Sequence, residues 1–377
     1  MKPIYLDYNA TTPIDPEVAE AMTPYLNQHF GNPSSSHWYG QQTRQAVDQA
    51  REHVAALLHC QPDEIVFTGG GSEANNQAIK GVAEAYRSKG NHIIISQIEH
   101  PAVLNPCRYL EERGYEVTYL SVDSQGSVSL EDVQNAITDD TILITIIHAN
   151  NEVGTIQPVQ EIGALARSAG ILFHTDAAQS VGKIPVQVDD LNVDLLSVAG
   201  HKLYAPKGIG ALFIRSGIEI PPLIHGAGHE QGRRAGTENV LEIVGLGKAC
   251  EIALRDAERT EKHLRELRDH LHEKLQECFQ KVRLNGHPTQ RLPNTLNVSL
   301  VGVPVHPLLD ACPEVAVSTG SACHEDSMEP SPVLTAMGIP ADVAGSAIRF
   351  SVGRMTTLQE IDRAVEVLAH RAEQQLP

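Results

Sequence analysis

The sequence contains no uninterrupted apolar stretch that reaches the roughly 18 residues a membrane-spanning helix needs. Residues 1–7 also lack the apolar core of a secretion signal. These absences argue against membrane insertion and export. We therefore expect a soluble, cytoplasmic protein that makes no membrane contact.

Basic residues are scarce relative to acidic ones. The 377-residue chain has 29 Lys and Arg against 47 Asp and Glu, a formal net charge of −18 at pH 7. Because nucleic-acid phosphates are bound by clustered Lys and Arg, we do not expect direct nucleic-acid binding. A basic protein partner suits this charge better. The hydrophobic content of 41% is typical of a globular protein with one large domain or two.

The six cysteines include no C-x-x-C pair that would indicate a zinc site or a redox motif. In a cytoplasmic protein, disulfides are not expected, and most of these thiols should be buried apolar side chains. Cys323 differs, because the residues around it are small, then polar, then interrupted by prolines. This composition predicts an exposed loop on which a thiol can react.

The glycine motifs of dinucleotide and nucleoside triphosphate sites are also missing. Instead, a strand pattern at residues 64–68 runs into three glycines and Ser72, which open a helix. Free backbone N–H groups at a helix start bind anions, and glycines let a phosphate come close. The alternative is an ordinary connection in which Ser72 only caps the helix.

Strand and helix patterns alternate along the chain. Strand patterns lie at residues 64–68, 92–96, 117–121, 142–147, 171–173, 195–198 and 209–214. Helical patterns lie at residues 16–30, 39–58, 102–113 and 160–168. This alternation predicts a largely parallel sheet covered by helices on both faces. Polar groups follow several of the strands, and open α/β sheets bind ligands at that edge.

The C-terminal part predicts a second, smaller α/β unit. A helical stretch at residues 240–279 leads into it, with one apolar stripe formed by Leu264, Leu267, Leu271 and Leu275. Strand patterns follow at residues 295–301 and 347–351, and an amphipathic helix at residues 358–372. We expect the two units to pack tightly together.

Residues 223–239 are rich in glycine and basic side chains and include His225 and His229. A zinc pair at this spacing requires a helix, which the glycines oppose. We therefore interpret this segment as a loop and expect no metal site.

Two strand ends carry groups suited to a carbonyl cofactor. Lys202 follows the strand pattern at 195–198, and a lysine amine at the edge of a buried pocket can condense with a carbonyl. Asp176 follows the pattern at 171–173 and can pair with a pyridinium nitrogen. Pyridoxal 5′-phosphate (PLP) requires such a lysine, such an acid and donors for its phosphate. The alternative is that Lys202 and nearby Lys207 are solvated loop lysines.

With these residues, nearly the whole chain resembles the class V aminotransferase-like, fold-type I PLP enzymes, and among them the cysteine desulfurases of the NifS and IscS kind. The resemblance implies a large PLP-binding domain at residues 15–255 with a mostly parallel, seven-stranded sheet. It implies a smaller α/β domain formed by residues 1–14 and 256–377. A mobile loop around residues 320–332 would carry the catalytic cysteine.

The resemblance also implies roles for individual residues. The cofactor contacts would be Gly71, Ser72, His100, Asn151, Asp176, Gln179, His201, Lys202 and Thr237. Lys202 would form the covalent link to the cofactor, and His100 would stack on its ring and move protons. Thr237 would reach the cofactor phosphate of the other subunit, which implies a homodimer.

The resemblance implies that the substrate is L-cysteine. It also implies that Arg349 and Asn151 hold the substrate carboxylate. An arginine fork matches a carboxylate in bidentate fashion, whereas Arg354 is expected to be structural. Cys323 would accept the sulfur and pass it to a sulfur-acceptor protein. The implied activity is therefore conversion of L-cysteine to L-alanine with an enzyme persulfide.

The sequence departs from the family pattern in two places. Many relatives have a serine where this chain has Ala199, and one lost neutral hydrogen bond costs about 0.5–1.5 kcal/mol of cofactor affinity. Near Cys323, Glu325 and Asp326 disfavour a thiolate, while a charged His324 favours it.

Other functions stay open at this point. A selenocysteine lyase or cystine lyase on the same fold would share the cofactor site without necessarily needing Cys323. A non-catalytic partner in a sulfur-transfer complex is disfavoured, because Lys202, Asp176, His100 and Cys323 occur together. Iron–sulfur clusters, tRNA thiolation, DNA sulfur modification and general sulfur supply are all possible destinations.

Overall fold

The computed structural model describes residues 3–319 and 331–375. The strands in this part of the chain are β1 (Ile4–Tyr5), β2 (Ile65–Thr68), β3 (His92–Ser96), β4 (Glu116–Leu120), β5 (Thr141–Thr145), β6 (Leu172–Asp176), β7 (Leu195–Ala199), β8 (Gly210–Ile214), β9 (Val282–Asn285), β10 (Thr295–Leu300), β11 (Val315–Ala316) and β12 (Ala347–Ser351).

The α-helices are α1 (Pro16–Met22), α2 (Pro24–Asn27), α3 (Trp38–Leu58), α4 (Gly71–Ala85), α5 (Pro101–Glu111), α6 (Leu130–Ala136), α7 (Val159–Ala169), α8 (Val240–Arg255), α9 (Ala257–Cys278), α10 (Val305–Asp310), α11 (Pro332–Ala336), α12 (Ala341–Ala344) and α13 (Leu358–Gln375). Among the described residues, no helix is both long and apolar enough to span a bilayer.

Seven strands form one sheet in the order β2-β8-β7-β6-β5-β3-β4. The pairs between β7 and β4 are all parallel, whereas β8 is antiparallel to both β7 and β2. Parallel neighbours need a long crossover, but the connection from β7 to β8 is short and returns the chain directly. The predicted α/β fold with a mostly parallel, seven-stranded sheet is confirmed.

Helices cover both faces of this sheet, because successive strand side chains point to opposite sides. Ile94 of β3 packs in one buried cluster with residues of α3, α7 and α8. Its neighbours Ile93 and Ile95 pack in another cluster with residues of α4 and α5. A strand buried on both sides leaves only its ends for polar groups, so the functional side chains collect at the sheet edge.

A second, antiparallel sheet has the order β12-β10-β9. The predicted leucine stripe of α9 is buried and packs with residues of this sheet and of α13. The short parallel pair of β1 and β11 joins the N-terminal segment to the same part of the molecule. The domain boundaries stated above stay a prediction.

The single helix predicted at residues 16–30 is wrong. Helix α1 ends at Met22, and α2 begins at Pro24 and ends at Asn27. Pro24 has no N–H to continue the helical hydrogen bonds, so the first helix ends at Met22 with Thr23 as its C-cap. Phe30 lies beyond both helices and is largely exposed.

Candidate active site

A cavity of about 600 Å³ lies at the edge where the parallel strands end. Its lining includes most of the residues singled out from the sequence: Gly71, Ser72, His100, Asn151, Asp176, Gln179, His201, Lys202 and Arg349. Thr237 does not line it and is exposed on the segment between β8 and α8. Cys323 lies outside the described residues.

Asp176 is the last residue of β6, and its carboxylate is buried in the cavity wall. The side-chain amide of Asn75 donates to Oδ2 at 2.6 Å, and the backbone N–H of Ala178 donates to Oδ1 at 2.9 Å. One donor on each oxygen of a buried carboxylate satisfies it in part and fixes its orientation. The cavity therefore presents an acidic group in a defined position.

Lys202 ends a single 3₁₀ turn, Gly200–Lys202, that directly follows β7. Its Nζ donates hydrogen bonds to the backbone carbonyls of Asn9 and, at 2.7 Å, Ala10. The N-terminal segment thus crosses the sheet edge and holds the amine at the cavity. No local pattern in that polar segment predicts this contact, which depends on the fold.

The segment for which the sequence predicts an anion cradle lies where β2 ends and α4 begins. Gly70 has a φ of 144°, a conformation that side-chain-bearing residues rarely adopt. A Cβ on Gly71 would lie 3.1 Å from the Cβ of Ala199 at the end of β7. Because Gly71 and Ala199 are both small, space remains for an anion at the start of α4.

His201 lines the same cavity as the start of α4, and its Nδ1 lies 3.2 Å from Oγ1 of Thr11. Burial and the positive charge of Lys202 lower the pKa of His201 to about 4. The imidazole is therefore neutral near pH 7 and can donate one hydrogen bond to an anion.

His100 is the N-cap of α5, and its Nδ1 accepts a hydrogen bond of 3.1 Å from the backbone N–H of Ala102. Burial lowers the pKa of His100, and Lys202 lowers it further, although Asp176 opposes this. A neutral ring that accepts at Nδ1 carries its proton on Nε2. The ring can therefore donate or return a proton at that atom.

Arg349 of β12 is buried, and its Nη2 is paired with Oδ1 of Asp7 at 2.7 Å. Its Nη1 donates to the backbone carbonyl of Asn151 at 3.2 Å, while its Nε is a buried donor without a hydrogen-bond partner among the described residues. Arg354 instead pairs with Asp15 at 3.0 Å and does not line the cavity.

Sequence reasoning did not assign several residues that line the cavity. Asn75 is one turn into α4, and Glu99 directly precedes His100. Asn75 lies in the stretch already noted for its glycines, and Glu99 lies just after a strand. These positions were the sequence signal that could have identified both residues. Burial raises the pKa of Glu99 to about 8, so its carboxyl group is protonated near neutral pH.

Comparison with known proteins agrees with this arrangement. A model of the family "Aminotransferase class-V" matches residues 4–364. The cysteine desulfurase IscS of Dictyoglomus turgidum is 50% identical over 370 residues, which are 97% of this chain and 93% of that protein. A solved NifS-like protein superposes with a TM-score of 0.93 at 37% identity, over 99% of this chain and 100% of that chain.

A solved structure of SspA in complex with cysteine is 41% identical, with a TM-score of 0.82, and the match covers 94% of this chain and 99% of that chain. Each of these matches spans nearly the full length of both proteins, so the likeness includes the sheet, its edge and the second α/β unit. The chain therefore belongs to the class-V aminotransferase family, among its cysteine desulfurase members.

Proposed function

We propose that this protein is a PLP-dependent cysteine desulfurase, which converts L-cysteine to L-alanine and leaves the sulfur on Cys323 as a persulfide. The observation that carries the proposal is the meeting of the Lys202 amine and the Asp176 carboxylate in one cavity. The full-length likeness to a cysteine desulfurase supports the same activity.

The cavity fits PLP. Asp176 has the charge that a protonated ring nitrogen needs, and Lys202 has the amine that condenses with an aldehyde. The start of α4 and the neutral His201 offer donors for a phosphate. Asn75 also leaves Oδ1 buried without a hydrogen-bond partner among the described residues, as expected where a ligand completes the contacts. When bound, PLP supplies an electron sink for the substrate Cα carbanion.

Besides condensing with the cofactor aldehyde, Lys202 is proposed to act as the base that removes the proton from the substrate Cα. An amine can do this only in its neutral form. The carbonyls of Asn9 and Ala10 hold Nζ at the cavity between these tasks. His100 can exchange protons through Nε2 in the same pocket.

Arg349 is proposed to bind the substrate carboxylate. Its guanidinium is buried, carries an unpaired Nε among the described residues and already holds the Asp7 carboxylate. A substrate carboxylate can use the same planar fork, because arginine matches carboxylates in bidentate fashion.

Cys323 is proposed to receive the sulfur. Its thiolate attacks the substrate sulfur, so that an S–S bond forms as the C–S bond breaks, and the electron pair of the C–S bond stays with the carbon. Protonation of that carbon gives alanine. The sum is L-cysteine plus enzyme thiol giving L-alanine plus enzyme persulfide, with no external oxidant. The lyase alternative is not favoured, because the full-length relative is a cysteine desulfurase.

A homodimer, a cytoplasmic location and a protein sulfur acceptor belong to the same proposal. Thr237 is exposed on this chain and outside its cavity, which is compatible with a contact to a partner subunit's cofactor. The net charge of −18 favours an acceptor with a basic docking face. Iron–sulfur cluster assembly is the destination we propose for the sulfur.

The proposal is tested by incubating the PLP-loaded protein with L-cysteine and a thiol reductant. Alanine and sulfide should form in equal amounts, and borohydride treatment should attach the cofactor to the peptide that contains Lys202. Lys202→Ala should abolish both results, whereas Lys207→Ala should retain the attachment. Turnover of cysteine by Lys202→Ala would refute the assigned role.

A further inference from the structure

Lys183 is a second lysine near the cavity, and it is buried far more deeply than a lysine usually is. It follows β6 by seven residues and is only 7% exposed. No carboxylate lies within 4.0 Å of its amine in the described part of the chain. A buried amine without an anionic partner is costly, so its position calls for a specific reason.

The surroundings of Lys183 disfavour its positive charge. Burial, together with the nearby cations Lys202 and Arg349, lowers the pKa of its amine to about 7. A substantial fraction of the amine is therefore neutral at physiological pH. In either state it is a hydrogen-bond donor, so its contacts do not depend on its charge.

The contacts of Lys183 lead to a cavity residue. Its Nζ donates to Oε1 of Gln179 at 2.8 Å and lies 3.5 Å from Oδ1 of Asn9. Gln179 in turn donates from Nε2 to the backbone carbonyl of Asn9 at 3.0 Å, and Gln179 lines the cavity. The same carbonyl of Asn9 accepts the hydrogen bond from Lys202.

This chain of contacts determines which end of the Gln179 amide is its oxygen. The backbone carbonyl of Asn9 only accepts, so the amide atom that meets it must be the nitrogen, and the atom that meets Lys183 is the carbonyl oxygen. The NH₂ group then points the other way, and one of its two hydrogens is taken by Asn9. The second hydrogen remains for a group in the cavity.

We propose that Lys183 is a positioning residue, which holds the Gln179 amide so that its NH₂ group faces the bound cofactor and donates to an anionic oxygen there. This inference rests on the proposed PLP function. It makes Lys183 act through Gln179 and not by forming any bond to cofactor or substrate. Without Lys183 the amide keeps its contact with the Asn9 carbonyl but loses the donor to its oxygen, so its orientation is held less firmly.

Lys183→Met tests the inference, because methionine has a similar length and no donor. Its affinity for PLP, measured by absorbance titration of the unloaded protein, should fall by up to about 10-fold, as for loss of one hydrogen bond. The visible absorption maximum of the bound cofactor should shift in the same direction as in Gln179→Leu. Lys248→Met, a change at a half-buried lysine on α8, is the matched control and should bind as the wild type does.

A double-mutant cycle separates positioning from an independent contribution. If Lys183 acts through Gln179, the double variant Lys183→Met/Gln179→Leu should bind PLP no more weakly than Gln179→Leu alone. If the fold losses in PLP affinity of the two single variants multiply in the double variant, the inference is overturned. Wild-type PLP affinity in Lys183→Met would also overturn it. If the wild-type protein itself bound no PLP, the proposed function would fail instead.

Thermal unfolding of the unloaded proteins controls for a purely structural role. Removing an amine from a buried, cation-rich setting relieves its desolvation, so unloaded Lys183→Met should melt no lower than the wild type. If that variant does not fold, Lys183→Gln is the second test, since it keeps an uncharged donor at this position. It should lose less PLP affinity than Gln179→Leu, and an equal loss would overturn the inference.

Discussion

The side-chain amide of Asn75 donates a hydrogen bond of 2.6 Å to Oδ2 of Asp176, joining residues 101 positions apart in the sequence. Both side chains are buried, so little water competes for this contact. It links the first turns of α4, where we propose the anion cradle, to the carboxylate at the end of β6. The two halves of the proposed cofactor site are therefore held together before any ligand binds.

Asn75→Ala should destabilise the unloaded protein by about 1.5–3 kcal/mol, because a buried carboxylate loses one of its donors. Urea unfolding measures this difference. Asn76→Ala is the matched control on the same helix. Its exposed amide donates to the backbone carbonyl of Ser72 within the same helix, and the effect should stay below about 0.5 kcal/mol. Equal effects of the two changes would contradict the importance of the Asn75 contact.

Glu99→Gln should change how stability depends on pH. Burial raises the pKa of Glu99 in the folded protein to about 8 from the ordinary value of 4.5, despite hydrogen bonds from Ser96 and the Ile147 N–H. Between these values the native state holds a proton that the unfolded state has lost. Its stabilising contribution is therefore complete below pH 4.5 and is lost as pH rises toward about 8.

The amide introduced by Glu99→Gln cannot ionise, so the variant should gain stability relative to the wild type as pH rises, by up to about 1.4 kcal/mol per pH unit within that window. Denaturant unfolding at several pH values from about 5 to about 8 measures the change. Glu116→Gln, at an exposed position on β4, should follow the wild-type profile. A Glu99→Gln profile parallel to the wild type would show that the carboxyl group ionises normally.

Cys323→Ser should still bind PLP and cysteine, because the residues of the cavity are unchanged, but it should release almost no alanine. A serine hydroxyl is not ionised at neutral pH and does not accept sulfur as a thiolate does. Cys278→Ser, at an exposed position, should retain wild-type turnover. Alanine production at the wild-type rate by Cys323→Ser would favour the lyase alternative.

Thr237→Ala should impair the cofactor site of the partner subunit if the active species is the proposed homodimer. Sedimentation measures the mass of that species. A heterodimer of one Lys202→Ala subunit and one Thr237→Ala subunit should regain one intact site, because the two defects fall on the same site. If the Thr237→Ala protein alone has impaired activity, a demonstrated heterodimer that remains inactive would contradict a cofactor site shared between the subunits.

The sequence by itself determined where the strand ends carry chemistry. Asp176 and Lys202 each follow an apolar run, and parallel strands bring their carboxyl ends to one edge, so their meeting could be predicted from local pattern alone. The glycines before α4 could be interpreted in the same way. The family likeness extended this to Arg349 and to Cys323, which lies outside the described residues.

Only the tertiary structure decided the contacts between distant segments. Asn9 accepts hydrogen bonds from both Gln179 and Lys202, and no periodicity in a polar N-terminal stretch predicts that. The reversed direction of β8 and the burial of Lys183 also depend on distant contacts, whereas the break at Pro24 follows from the local properties of proline. Local sequence sets which conformations a segment prefers, but the burial and charge of a side chain depend on what packs against it from elsewhere in the chain.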